Sequence, residues 1–197
     1  MFSRTRQPTT RRRGVITGAP SGPVLEQIET QVLEETASTI DFTAIPTTYE
    51  YLVLRGHTRS TAASTAAELA LRLGGAAIDT GNNYQYAHYH VTGGIASSAS
   101  DGKLAIGRYT IPGALATAGV FGEFETVIHA ATGLARLVRS GGRYQNVAGG
   151  MGGIWTNTTD AIEKIRVFDN LNGSFVIGSV FTLYGTDDPA FIQAAVV

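Results

Sequence analysis

Apolar and polar residues alternate one by one along much of the chain, which is the pattern of β-strands with one buried face. Residues 38–45, 121–130 and 160–168 show this alternation clearly. Turn-forming residues separate such segments, as at Gly81-Asn82-Asn83 and 171–174. We therefore expect about nine to eleven strands in an all-β, antiparallel jelly-roll β-sandwich.

Four segments do not alternate clearly and need separate predictions. Residues 60–73 are the one helical candidate, because their first half is rich in alanine, although their end also alternates. The Gly-, Ser- and Ala-rich residues 93–102 predict a loop. The glycine-rich residues 149–153 predict a flexible loop or a place where backbones pack closely. Gly141-Gly142 predicts the turn of a hairpin.

The first residues of the chain differ from the rest in charge and composition. All sixteen acidic side chains lie after residue 13, whereas five of the fifteen basic ones lie within the first thirteen residues. These five are Arg4, Arg6, Arg11, Arg12 and Arg13. Residues 18–23 then contain two glycines and two prolines, which break regular structure. We predict an extended basic N-terminal arm over residues 1–24 and one β-sandwich domain over residues 25–197.

The charge difference indicates how the arm binds. A basic arm joined to an acidic body favours contact with an acidic surface, such as a partner protein or a second copy of the chain. Nucleic acid is the less favoured partner, because no aromatic residues alternate with the arginines. The C-terminal residues 187–197, which are apolar for a terminus, predict a tail that docks on its own domain or on a neighbouring subunit.

Several classes of protein are excluded by composition. The chain has no cysteine, which excludes disulfides, thiol catalysis and cysteine-bound zinc. No apolar run reaches the roughly 18–20 residues of a membrane span. The first residues lack the apolar stretch of a secretory signal, so we expect a protein made in a cytosol.

Candidate catalytic and metal-binding residues are few. His88 and His90 lie on one face of a predicted strand and, with a third group such as His57, suit zinc or nickel. No second motif completes the ligand set, so no metal or other cofactor is predicted. Glu123 and Glu125 also share a strand face, but nothing in the sequence indicates a cleft or a nucleophile motif. We therefore predict a protein that is not an enzyme.

Aromatic residues provide a second kind of candidate site. Tyr84 and Tyr86 share a face of their predicted strand, and Trp155 follows the glycine-rich segment. Aromatic rings stack on the faces of sugars, and they also pack at subunit interfaces. We therefore consider Tyr84, Tyr86 and Trp155 as a glycan-binding or interface set.

Three segments of the chain carry a family resemblance. Residues 40–56 read IDFTAIPTTYEYLVLRG, residues 79–86 read DTGNNYQY, and residues 178–185 read GSVFTLYG. In this order, they resemble the jelly-roll structural proteins of tailed-bacteriophage virions. The chain departs from that pattern at Leu73, where the family has asparagine, and at the inserted residues 76–78.

The resemblance implies a non-enzymatic structural protein located in the virion after synthesis in the host cytoplasm. We expect self-assembly into a homo-oligomer, with three subunits as the first expectation, and anchoring by the N-terminal arm to the tail, in its fibre or attachment region. The expected partners are further copies of the chain and other tail or capsid proteins. Two alternatives remain, namely a decoration protein of the capsid head and a carbohydrate-binding module that recognises a host surface glycan.

Overall fold

The computed structural model describes residues 24–91, 95–103 and 105–188, which form twelve strands. The predicted arm therefore lies outside the described residues except for Val24, as do residues 189–197. The strands are β1 Glu26–Val32, β2 Thr39–Phe42, β3 Tyr51–Thr58, β4 Ala66–Gly74, β5 Tyr84–Val91, β6 Ile95–Lys103, β7 Ile106–Pro112, β8 Gly122–His129, β9 Arg136–Tyr144, β10 Val147–Trp155, β11 Lys164–Asp169 and β12 Val180–Thr186.

The strands form two antiparallel sheets. The larger sheet has eight strands in the order β1-β12-β3-β8-β9-β10-β5-β6, and the smaller has four in the order β2-β11-β4-β7. The described residues contain no helix, and hence none that is long and apolar enough to cross a membrane. The prediction of an all-β, sandwich-like protein is confirmed.

Eight of the strands pair in a nested order. The first pairs with the last, β1 with β12, and the next pairs inward are β2 with β11, β3 with β8 and β4 with β7. Successive pairs alternate between the larger and the smaller sheet. The other four strands form the β5–β6 and β9–β10 hairpins, which pair through β10 and β5 and widen the larger sheet beyond β8.

Alternation along the strands places apolar side chains between the two sheets. Phe124 and Phe181 of the larger sheet are buried together, with ring centroids 5.8 Å apart. Phe175, from the loop before β12, packs edge-on against Phe181 at 4.9 Å. Ile165 and Val167 of β11 are fully buried and belong to the same core. Burying each such side chain contributes about 1.5–3 kcal/mol, which makes this core the main source of stability.

One arginine makes four hydrogen bonds to a long loop at one end of the sandwich. The Arg59 guanidinium donates to the backbone carbonyls of Ala114, Ala116, Thr117 and Val120 at 2.7–3.2 Å. These carbonyls belong to the connection between β7 and β8, which has no strand partner of its own. The planar fork of arginine thus supplies the hydrogen bonds that a regular ladder would otherwise provide.

The structure contradicts two of the predictions for the irregular segments. The helical candidate at 60–73 is wrong, because β4 pairs with both β7 and β11 and its alternating leucines point into the core. The predicted loop at 93–102 is wrong for residues 95–102, whose backbone pairs with β5 as part of β6. In both segments, pairing between strands outweighs the local preference of alanine, glycine and serine.

The two glycine-rich predictions also need correction. Gly141-Gly142 lies within β9, and the hairpin turn falls at Gln145-Asn146, where Gln145 has a φ of 47°. Residues 149–153 lie within β10 rather than in a flexible loop. The alternative prediction of close backbone packing does hold, because a Cβ on Gly153 would lie 2.5 Å from the carbonyl oxygen of Gln85.

Glycines within the larger sheet are expected to differ sharply in their tolerance of substitution. A Cβ added to Gly56 would lie 2.2 Å from the Phe124 ring and 2.8 Å from the Val180 carbonyl oxygen. Gly56→Ala should therefore lower the free energy of unfolding by about 1–3 kcal/mol, as overpacked cores do. Urea denaturation measures this change.

Gly152→Ala is the matched control, because a Cβ at Gly152 meets nothing within 4 Å. Its free energy of unfolding should stay within about 0.5 kcal/mol of the unsubstituted chain. Equal losses in the two variants would contradict the packing that the structure shows around Gly56.

Candidate binding surface

The turn between β4 and β5 is organised by one carboxylate. Asp79 accepts hydrogen bonds from the backbone N–H of Gly81 at 2.8 Å, the side-chain amide of Asn83 at 2.8 Å and the indole N–H of Trp155 at 2.7 Å. Burial alone would raise the pKa of Asp79, but these three donors outweigh it and lower the pKa below its ordinary value. The motif residues 79–83 therefore form a turn that is fastened to the end of β10.

Tyr84 completes this arrangement from inside the core. Its hydroxyl accepts from the backbone N–H of Leu73 at 3.0 Å and lies 3.0–3.1 Å from the carbonyl oxygens of Asp79 and Leu73. Its ring is parallel to that of Trp155 to within 16°, and neither side chain is exposed. Burial raises the pKa of Tyr84, so its hydroxyl keeps its proton.

The two departures from the family pattern fit into this turn. Leu73 uses its backbone N–H and carbonyl to bind Tyr84 and Asp79, while its side chain is buried in the core. The inserted residues 76–78 form a short loop that is closed by a bridge between Gly74 and Ile78. The turn therefore does not need a polar side chain at Leu73.

The predicted aromatic set does not form an exposed surface. Tyr84 and Trp155 are fully buried with their polar atoms hydrogen-bonded, so they offer no ring face to a sugar or to a partner. Tyr86 is half-buried, packs against the core and lies 5.8 Å from the His88 ring. The correction follows from β10, whose pairing with β5 turns Trp155 inward next to Tyr84.

The other candidate residues lie at different places. The five arginines of the arm, Arg4, Arg6, Arg11, Arg12 and Arg13, are outside the described residues. His88 is half-buried on β5, and the description of the structure does not extend to the side chain of His90. In the described part of the chain, no group of three or more histidine or acidic side chains is arranged to hold a metal ion.

His57, Glu123 and Glu125 come together on the outer face of the larger sheet. Glu125 lies opposite Arg55 of β3, and their side chains form an ion pair at 2.7 Å. Glu123 lies opposite Arg143 of β9, and this second ion pair is 3.3 Å long. His57 is the neighbour of Glu123 on β3 and stacks on the ring of Phe121 at 4.9 Å.

A shallow depression of about 610 Å³ lies along these two ion pairs. It extends from Thr182 on β12 across β3, β8 and β9 to Ala148 on β10. Gly141 forms part of its floor, where the absence of a side chain leaves the sheet backbone open. Beyond Gly141 in the same row, the ring of Tyr89 covers Gly150 and is 53% exposed.

Sequence reasoning found only part of this surface. The spacing of Glu123 and Glu125 correctly placed both carboxylates on one face, but their arginine partners come from other strands. The spacing of Tyr89 from Tyr84 and Tyr86 also predicts that it lies on the other face of β5, where it is exposed. The alternation along β3 could have predicted that Arg55 and His57 point outward. Their position beside Glu125 and Glu123 follows from the register between β3 and β8.

A second surface lies at one end of the sandwich and is rich in acidic side chains. The first described residue, Val24, and the last ones, up to Asp188, both lie at this end. The connecting loops at this end, residues 43–50, 75–83, 130–135 and 156–163, contain no lysine or arginine. A groove of about 400 Å³ at the same end is lined by Val24, Glu26, Tyr49 and residues 185–188.

Carboxylates dominate the surroundings of this groove. A hydrogen bond to Glu26 raises the pKa of Tyr49, and the backbone N–H of Glu50 donates to Asp187 at 2.9 Å. The buried Arg136 donates to the carbonyl oxygens of Leu134 and Asp160 rather than to a carboxylate. The acidic charge at this end is therefore only partly balanced by the basic side chains that the structure describes there.

No family model, no curated protein and no solved structure matches this chain.

Replacing Asp79 by asparagine tests the role of its carboxylate. Asp79→Asn should lower the free energy of unfolding at neutral pH by about 1–2 kcal/mol, because hydrogen bonds to a charged acceptor are weakened. The pKa of Asp79 is lowered in the folded chain, so its contribution is complete above the ordinary value of 3.8 and is lost as the pH falls through the folded value.

The difference between the two proteins should therefore shrink on acidification below about pH 4. Thermal or urea unfolding between about pH 2 and 7 measures it. Glu35→Gln is the matched control, because it changes an exposed carboxylate to an amide, and it should alter the free energy of unfolding by less than about 0.5 kcal/mol across the pH range. A constant difference across the pH range would contradict the assigned role of Asp79.

Proposed function

We propose that this chain is a non-enzymatic structural protein of a tailed-bacteriophage virion, with a jelly-roll body that self-assembles and a basic arm that anchors it to the tail. The observation that carries the proposal is the nested order of the four strand pairs. A jelly roll is a long antiparallel ribbon wrapped so that successive pairs fall in opposite sheets. The pairs β1–β12, β2–β11, β3–β8 and β4–β7 follow that order.

The segments that carry the family resemblance have structural roles in this arrangement, which supports the proposal. Asp41 of the first segment forms a two-pronged ion pair with Arg166, both contacts being 2.7 Å long, and thereby joins β2 to β11. Asp79 of the second segment fastens β5 to β10. The third segment contains all of β12 except Thr186, and β12 lies between β1 and β3 in the larger sheet.

The charge distribution supports anchoring and self-assembly. The arm carries five arginines without an acidic side chain, and the chain after it begins beside Glu26, Glu50 and Asp187. Arginine pairs well with carboxylates because its fork binds both oxygens. We propose that the arm of one copy lies on the acidic end of a neighbouring copy or virion protein, in a homo-oligomer of three subunits.

The arrangement of Glu123 and Glu125 favours binding over catalysis. A glycosidase needs two carboxyl groups that face each other across the scissile bond. Here both glutamates project from one strand onto an open surface, and each is paired with an arginine. These contacts suit a recognition surface.

Cross-linking between molecules tests the arm, because the chain contains no cysteine of its own. Molecules with Thr10→Cys are mixed with molecules that carry Thr48→Cys, an exposed position at the acidic end. A disulfide between the two molecules should form readily near 0.1 M salt and weaken near 1 M salt, where charges are screened within about 3 Å. Non-reducing electrophoresis measures the yield.

The control mixture carries Asn146→Cys, which is exposed at the other end of the sandwich. Its cross-link to Thr10→Cys should form several-fold less, because the loop 113–121, which Gln145 contacts through Thr117, carries no acidic side chain. Equal yields at the two positions, or equal yields at both salt concentrations, would overturn the proposed contact of the arm.

The virion setting is tested separately. Particles purified from cells that produce the chain should contain it at a fixed ratio to the other virion proteins, as measured by quantitative mass spectrometry. Disrupted particles should retain it in the tail fraction, and retention in the head fraction would instead indicate a decoration protein. Its absence from intact particles would overturn the proposal.

A further inference from the structure

We propose that the depression on the outer face of the larger sheet binds a neutral saccharide chain. It occupies about 610 Å³, within the range of about 300–1,000 Å³ that is usual for small-ligand sites. Tyr84 and Trp155 are buried and cannot contact a sugar, so the proposed saccharide site uses the depression and the exposed Tyr89 beside it. It does not depend on the virion setting or on the arm.

The charges along the depression argue for an uncharged ligand. Within the lining of the depression, Arg55 and Arg143 are paired with Glu125 and Glu123, so these four side chains carry no net charge that would select a phosphate or a cation. The Arg143 and Glu123 side chains are 77% and 65% exposed, which leaves donors and acceptors open to a ligand. Hydroxyl groups both donate and accept, and they match alternating guanidinium and carboxylate groups without needing a net charge.

The shape of the surface supplies the second requirement for binding sugars, an apolar platform. The Cε1, Cζ and hydroxyl atoms of Tyr89 lie 2.9–3.0 Å from the position that a Cβ of Gly150 would take, so the ring extends over Gly150 while the side chain stays half exposed. The neighbouring Gly141 keeps the floor between Tyr89 and the ion pairs low. The C–H face of a sugar ring can therefore rest on the tyrosine while its hydroxyl groups reach the charged side chains.

A peptide partner is less compatible with this surface. Peptides commonly bind by adding a strand to a sheet edge, where backbone groups are unpaired. The depression spans β12, β3, β8 and β9, which all lie inside the sheet, and their backbone groups are engaged in ladders on both sides. A ligand here must be recognised by side chains.

The test uses the full chain on an array of immobilised oligosaccharides that includes neutral, acidic and amino sugars. Binding to at least one neutral group is expected. Gly141→Leu should reduce that binding at least tenfold by filling the floor, since a Cβ at Gly141 has its nearest neighbour at 3.9 Å and fits without strain. Tyr89→Ala should cause a similar loss.

Gly152→Leu is the matched control on the same face. Its Cβ position is equally open, and Gly152 does not line the depression, so binding should be unchanged. Unfolding curves of all variants identify any loss that is due to misfolding. The proposal is overturned if only acidic sugars bind, if no sugar binds, if folded Gly141→Leu binds normally, or if a peptide library binds at this surface instead.

Discussion

The hydrogen bonds to the Asp79 carboxylate tie together parts of the chain that are far apart in sequence. Gly81 and Asn83 belong to the turn after β4, whereas Trp155 ends β10. A single anion with three donors is a strong acceptor, because charged hydrogen bonds are stronger than neutral ones. It fixes the start of β5 next to the end of β10, at one end of the ladder through which the β5–β6 hairpin pairs with the β9–β10 hairpin. The turn after β4 is thereby held against this end of the larger sheet.

The same hydrogen bonds show that the polar residues of the second resemblance segment have a structural role. The segment DTGNNY is rich in polar groups that are typical of active sites, yet Asp79, Asn83 and Tyr84 direct those groups at one another and at Trp155. The surfaces left for recognition are the balanced ion pairs around Gly141 and the acidic end near Val24. These two chemically different surfaces are the basis of the binding and assembly proposed above.

Much of the fold could be predicted from the sequence, because alternation marks strands that have one buried face. It placed Tyr84 and Tyr86 on one side of β5, and Glu123 and Glu125 on one side of β8. The glycine-rich strands could not be predicted in this way. Glycine usually signals a turn, but in β10 it allows the Tyr89 ring to cover Gly150. The burial of Trp155 next to Tyr84 follows from the register between β10 and β5, and a register between distant strands cannot be inferred from a local sequence pattern.

The role of Asp79 can be measured directly because Trp155 is the chain's one tryptophan. Its indole N–H gives a single nuclear magnetic resonance signal, and that proton is donated to Asp79. Followed through an acid titration of the folded protein, the signal should shift with a midpoint below 3.8, the ordinary pKa of an aspartate side chain. A midpoint at or above that value, or a signal that does not respond, would contradict the hydrogen bond between Trp155 and Asp79 and the role assigned to it.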